Sequence, residues 1–347
     1  MGSERDLHTP LCDILGCRYP ILQAGMGGVA RSELVTAVTE AGGYGFLGMV
    51  RETPDLIAQE IDAVRARTDG PFGVNLIPAA TDPALLEAEL SLCLKKKVHS
   101  LCFFWDVRAD VIARVKAAGC RVLYQVGSVE DAAAAAQSGA DAIIAQGVEA
   151  GGHVRGTVSS LVLLPQVVRS VSVPVIASGG FASGESLIAA LALGAQGIHC
   201  GTAFLATEES FAHAYHKDRI VRAKSEDTVY TDAFALNWPP DSPVRVIANS
   251  LTSELGQRLL GHRPEDIFRE AIANESGRPI YKFSTDSPLR ITTGDLECLA
   301  LFAGQVAGAI ETIPSAGARV GEIVCVALAT LERLRRAGME SRNGELG

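Results

Sequence analysis

Several features are scarce in this sequence of 347 residues, and each scarcity closes off a class of function. It contains no run of 18 or more apolar residues, and the start, Met1-Gly-Ser-Glu-Arg-Asp6, has no apolar signal region. Neither a membrane-spanning helix nor a secretory leader is expected. Basic residues are outnumbered 31 to 40 by acidic ones, for a formal charge of -9. That leaves no positive field to hold a nucleic acid backbone. The longest same-sign run, Lys95-Lys96-Lys97, falls where a helix should end and where cations suit the helix dipole. The eight cysteines include no C-x-x-C pair and several lie inside apolar runs, so reduced thiols in a cytoplasm are expected. There is no G-x-S-x-G elbow for a nucleophilic serine, and the Gly25-Met-Gly-Gly28 string lacks the G-x-G-x-x-G spacing of a dinucleotide fingerprint. Acidic residues do not cluster where strands should end, so no metal site is expected.

What is present is a repeat. Apolar runs occur at 20–24, 45–50, 72–77, 100–105, 122–126, 142–145, 174–177 and 197–200. A helix-like segment follows each of the first seven. Ser32 to Ala41 stops at Gly42-Gly43, the alanine run after Ser128-Val-Glu-Asp131 closes at Gly139, and Gly184 to Leu193 ends at Gly194. One strand, one loop and one helix per 20 to 30 residues, eight times over, predicts parallel strands buried on both faces. The fold class expected is α/β, a (β/α)8 TIM barrel. A smaller insertion, residues 211–290, separates strand 8 from its helix, leaving 1–210 and 291–340 to form the barrel. Helical patterns are expected over 296–310 and 320–336, with a disordered tail from Ser341 to Gly347.

Barrel sites form where strands run into their following loops. Those mouths carry Gly25-Met26-Gly27-Gly28, Asn75, Gln125, Gln146, Gly151-Gly152-His153, Ser178-Gly179-Gly180 and Gly201-Thr202. Glycines after strands 7 and 8 let backbone N–H groups approach an anion, which suggests a phosphorylated ligand. The amides Asn75 and Gln125 suit a planar ring bearing donors and acceptors, and an isoalloxazine fits that description. Of the seven histidines, His8, His99 and His262 lie away from the mouths. His213 and His216 read as a surface helix pair, and His199, within strand 8, reads as a satisfied barrel histidine or a ligand neighbour. His153 alone stands on a glycine loop at a mouth, where an imidazole can donate, accept or transfer a proton. The insertion's Phe234, Leu236 and Trp238 would line a pocket or pack.

These stretches resemble the nitronate monooxygenase family, whose relatives include FMN-containing enoyl-acyl carrier protein reductases. The resemblance runs from about residue 10 to 335 and rests on Pro20-Ile-Leu-Gln-Ala-Gly-Met-Gly-Gly28, Pro71-Phe-Gly-Val-Asn-Leu76, Gln146-Gly-Val-Glu-Ala-Gly-Gly-His153, Pro174-Val-Ile-Ala-Ser-Gly-Gly180, the segment Gly201 to Ser210, and Ala303-Gly-Gln305. The Glu-Ala-Gly-Gly-His string is the most specific of them. The resemblance implies an FMN held by Asn75, Gln146, Gly151, Gly180 and His199-Cys200-Gly201-Thr202, with Gly25, Met26, Gln125, Gly152, Ser178 and Gly179 alongside. It implies that His153 is the catalytic imidazole and that the insertion covers the flavin. Two residues depart from the pattern: Ala24 stands where many relatives have glycine, and Ala203 where they have arginine, which removes a cation near the site. The implied activity is oxidation of alkyl nitronates by O2 to carbonyl compounds and nitrite. The alternatives are an NAD(P)H-dependent enoyl or quinone reductase on the same residues, and a non-catalytic FMN-binding barrel. A small-molecule substrate is the expected partner, and a homodimer is allowed for.

Overall fold

A computed structural model of the protein describes residues 4–344. Eight parallel strands close a barrel: β1 Ile21–Gln23, β2 Tyr44–Gly48, β3 Gly73–Leu76, β4 Ser100–Phe104, β5 Arg121–Val126, β6 Ala142–Gln146 and, after the two-residue strand β7 Gly152–His153, β8 Val175–Ser178 and β9 Ile198–Cys200. Closure is made by β1 against β9, with Ile21 opposite Ile198 and Gln23 opposite Cys200. The (β/α)8 barrel expected from the repeat is therefore the fold.

Alternation along the strands produces two cores. Leu22, Phe46, Cys102, Leu123, Ile144 and Ile176 point inward and fill the barrel, which the short helix Pro10–Leu15 plugs through Leu11, Cys12 and Leu15. Their neighbours, such as Leu47, Val74, Leu101 and Ile143, point outward beneath the helices. Inside, the fully buried Tyr44 hydroxyl lies 2.6 Å from Ser100 Oγ and 2.9 Å from His99 Nδ1. A buried polar group is thereby satisfied at the end of the barrel remote from the loops.

The eighth helix, Ala316–Gly344, packs across Gly184–Ala192. A Cβ on Gly184 would stand 2.1 Å from Ala327 N, so these two backbones meet only because that residue is glycine. The helix includes Ser341–Gly344 of the tail expected to be disordered; residues 345–347 of that tail lie outside the described residues. Among the described residues no helix is long and apolar enough to cross a membrane.

Between β9 and the last helix the chain adds five strands, which together with β7 form two three-stranded sheets. One is ordered β10 Thr228–Thr231, β11 Val244–Ile247, then β7; the other is β13 Arg278–Tyr281, β12 Ala271–Glu275, β14 Thr292–Gly294. The helical pattern expected over 296–310 is a correction. Only the 3-10 turn Gln305–Ala309 is helical there. Leu301 O accepts from Ile247 N at 2.8 Å, Ala303 N donates to Arg245 O at 3.4 Å, and Phe302 bridges Val246, so the segment's backbone bonds are spent on β11.

Candidate active site

The carboxyl ends of the barrel strands and the insertion enclose a cavity of about 660 Å3. Its floor contains nearly every residue singled out from the sequence: Gly25, Met26, Asn75, Gln125, Gln146, Gly151, Gly152, His153, Ser178, Gly179, Gly180, His199, Gly201 and Thr202. Cys200 does not line it. Adjacent strand residues point to opposite faces, so while His199 turns inward against Phe46, the Cys200 thiol lies in the outer core, where burial pushes it up to about 12.

The glycines on this floor divide into two kinds. Gly152, at φ 72°, and Gly27 have nothing within 4 Å of a built Cβ, and Gly201 has only Ala24 and Met26 side chains at 3.9 Å, so their backbones face open cavity. Gly151 is different: its Cβ would stand 2.4 Å from Gly304 N, because the 303–305 segment crosses directly over this loop. Gly304 N donates to Thr202 Oγ1 at 3.0 Å and Gln305 N to Glu149 O at 3.0 Å, tying the loops after β6 and β9 together.

His153 is placed by three restraints. Its strand β7 pairs antiparallel with β11, His153 opposite Val244. Arg245 reaches back to Val148 O through Nη2 at 2.9 Å. Gln146 spans the loop, Nε2 donating to His153 O at 3.0 Å and Oε1 accepting from Arg155 N at 3.4 Å, so this amide holds the histidine's backbone. The imidazole is packed by Trp238 (centroids 3.3 Å apart, planes 14° apart), by Trp105 edge-on at 6.2 Å and by Phe302 at 5.9 Å. Its Nε2 is buried without a hydrogen-bond partner. Burial, and secondly the charge of Arg51, hold its pKa well below the ordinary histidine value, so the ring is neutral at neutral pH.

Other groups complete the wall. His199 Nδ1 lies 3.3 Å from Ser178 Oγ, its Nε2 is buried and unpartnered, and burial lowers it to about 4. Asn75 Nδ2 donates to Cys102 O at 3.2 Å. A planar heteroaromatic ring with both donors and acceptors matches these groups, and side-chain-free backbone at Gly27, Gly152 and Gly201 leaves room for one. The residues present therefore fit a flavin.

The rim was not legible in the sequence. Arg51 and Glu52 follow β2, and Asn237, Glu275, Arg278, Thr285, Asp286 and Ser287 come from the insertion. Arg31 pairs with Glu52 at 2.7 Å, and Arg278 with Asp286 at 3.0 Å and Glu275 at 3.4 Å. Behind Arg51 the fully buried Glu89 carboxyl faces the backbone amides of Arg51 and Glu52, and burial pushes it up to about 8. Of the insertion's three apolar candidates, Trp238 lines the cavity, whereas Phe234 packs in a separate cluster with Val244 and Val246, and Leu236 is buried off the wall. His216 also corrects the sequence reading. It is fully buried, bonded through Nε2 to Phe302 O at 3.0 Å, with Nδ1 3.3 Å from Ser287 Oγ.

A closed barrel whose glycine-lined strand mouths surround two neutral histidines defines a (β/α)8 enzyme. Comparison with known proteins narrows the class. The family model described as nitronate monooxygenase matches residues 8–325. A "(3aS,4S,5R,7aS)-5-hydroxy-7a-methyl-1-oxo-octahydro-1H-indene-4-carboxyl-CoA dehydrogenase" of Mycobacterium tuberculosis is 33% identical, over 94% of this chain and 98% of that protein. A "Probable nitronate monooxygenase" of Staphylococcus aureus is 32% identical, over 88% and 93%. Among solved structures, FabK from Thermotoga maritima superposes with a TM-score of 0.78 at 31% identity, covering 95% of this chain and 99% of that one. Nitroalkane oxidase from Streptomyces ansochromogenes gives 0.75 at 30%, covering 94% and 99%. The chain belongs to the nitronate monooxygenase family and is a flavin-dependent oxidoreductase.

Proposed function

We propose that the chain is an FMN-dependent nitronate monooxygenase that oxidises alkyl nitronates with O2 to carbonyl compounds and nitrite. The observation that carries this reading is the neutral His153 imidazole at the cavity, its Nε2 buried and unpartnered beside Trp238, with the Arg51 cation close enough to lower its pKa. FMN would be held by Gly25, Met26, Asn75, Gln125, Gly151, Gly152, Ser178, Gly179, Gly180, His199, Gly201 and Thr202, with Gln146 bracing the loop beside it. The bound flavin supplies the electron acceptor. His153 meets the substrate's nitro oxygens with a hydrogen bond, or takes the α proton at Nε2 when a neutral nitroalkane enters. Trp105, Trp238 and Phe302 keep water from that nitrogen. Residues 211–290 cover the flavin and form the substrate side. All eight cysteines are free and Val158, Leu161 and Val162 are exposed together, which supports a homodimer in a reducing compartment such as the cytoplasm.

A second reading, an NAD(P)H-dependent enzyme acting on an acyl thioester, is favoured by the names of the dehydrogenase and FabK relatives. Against it, Arg278 at the rim is already claimed by Asp286 and Glu275, which weakens its pull on the phosphates of a large nucleotide. Anaerobic mixing separates the two. Bleaching of the flavin absorption by propane-2-nitronate and not by NADH supports the monooxygenase; rapid bleaching by NADH overturns it.

A further inference from the structure

Trp238 stacks on His153 so closely that the protein's own atoms seal Nε2 from the cavity. For Nε2 to touch any substrate, Trp238 has to move. It sits in the segment Asn237-Trp238-Pro239-Pro240-Asp241, whose ends are both left-handed, Asn237 at φ 76° and Asp241 at φ 57°. Non-glycine residues are rarely found there, so the surrounding contacts hold the segment in place. One of those contacts comes from the barrel. Arg51, itself left-handed at φ 60°, donates through Nη1 to the Asn237 carbonyl at 2.5 Å. Asn237 Nδ2 lies 3.4 Å from Asp286 Oδ2 on the other side. Arg51 lines the cavity, and among the described residues that carbonyl is the one acceptor for its five N–H groups.

We propose that Arg51 receives the anionic oxygens of the substrate, and that the guanidinium's transfer from the Asn237 carbonyl to those oxygens unstacks Trp238 from His153. The substrate's charge rests on the nitronate reading; the latch itself does not. A hydrogen bond between two ionised partners is stronger than one to a neutral carbonyl, so an anion displaces Asn237 from Arg51 and a neutral isostere does not. The same exchange explains how a chain with Ala203 in the short helix Thr202–Leu205 after β9 still meets an anion with a cation: the charge comes from the loop after β2. Trp238 is thus a specificity element, since the lid opens for a ligand that carries negative charge into the cavity.

The chain contains two tryptophans, and both lie in this cluster, 5.5 Å apart. In a Trp105→Phe background, emission therefore reports Trp238 alone. The probe for the flavin-loaded protein is isobutyrate, a planar carboxylate that resembles propane-2-nitronate but is not oxidised by this chemistry, with isobutyramide as its neutral counterpart. Isobutyrate should change the emission saturably and isobutyramide should not. Arg51→Gln should weaken the isobutyrate response by about 10- to 100-fold, the worth of charge-assisted hydrogen bonds, and Arg51→Lys by less. Trp238→Ala, followed by flavin absorption, should tighten isobutyrate by roughly 2- to 10-fold, since the aromatic stack no longer opposes opening. Equal responses to the acid and the amide, or an unaltered titration in Arg51→Gln, overturn the proposal. If nitronate fails to bleach the flavin while isobutyrate still moves Trp238, the nitronate reading falls and the latch stands. The reverse result sinks the latch alone.

Discussion

The floor and the lid of the cavity are built on opposite terms. The floor consists of strand ends and glycines fixed by a closed ladder of parallel strands, with inward residues such as Phe46 and Ile144 packed beneath it. The lid is short sheets and loops whose cavity-facing groups include a tryptophan and an ion-paired cluster, and it holds four left-handed non-glycine residues, Asn237, Asp241, Ser276 and Phe283, of which Asn237 lines the cavity. A floor of that kind presents backbone and neutral imidazoles to a planar group; a lid of this kind chooses what joins it. Three histidines show the contrast. His216, under the insertion, has a partner at each nitrogen, whereas His153 and His199, at the cavity, each leave Nε2 unpartnered.

That contrast can be broken in several ways. The largest expected effect is on stability against pH. His199 and His216 have folded pKa values lowered to about 4 by burial, so the unfolded chain binds their protons first. Each contributes stability that is complete above pH 6.5 and lost as pH falls toward 4, worth about 3 kcal/mol per residue. Thermal melts across that window should show a steep decline, with a flatter one in His216→Gln. A decline of equal slope in both proteins would contradict the assignment.

Next in size is His153→Ala, which should lower kcat/KM by about 10²-fold or more while the flavin stays bound. Steady-state rates beside an absorption spectrum check both halves. In parallel, removing the Arg51 charge relieves one cause of the low His153 pKa. The acid limb of the activity profile in Arg51→Gln should therefore move to higher pH.

Gly201→Ala tests the floor. Its Cβ would meet only side chains at 3.9 Å, so the protein should fold, yet the methyl enters the space proposed for flavin. Overpacking of this kind costs about 1–3 kcal/mol, so flavin retention should fall about tenfold or more, measured by fluorescence of the released cofactor. Full retention would place the flavin elsewhere. The smallest change expected is in Gly152→Ala, where nothing lies within 4 Å but φ is 72°. The left-handed backbone alone should cost about 1–2 kcal/mol in denaturant unfolding.

Much of the floor was readable from residue order because its determinants are local. An apolar run of four to six residues, a glycine stop and a strand-end amide all fall within one βα unit, and Asn75, His153 and Gly201 each lie directly at their strand's mouth. Cys200 is the exception, and period-two alternation, which turns its neighbour His199 inward, is the reason. The 296–310 segment misled because apolar spacing that suits a helix also suits an extended chain bonded to β11.

By itself, then, the order of residues determined the eight-fold βα repeat, from which the barrel follows by its count of eight, and the ring of glycines and amides at the strand mouths, since each repeat unit and each mouth is set within about 30 residues. Only the tertiary structure decided what stands over that imidazole. Arg51 meets Asn237 across 186 positions of chain, and Trp238 reaches His153 because β11 pairs with β7, a register that no local pattern encodes. Long-range pairings of this kind are selected by the folded chain's total packing and hydrogen bonding, which is why the residues most specific to this protein's lid were the ones hidden in its sequence.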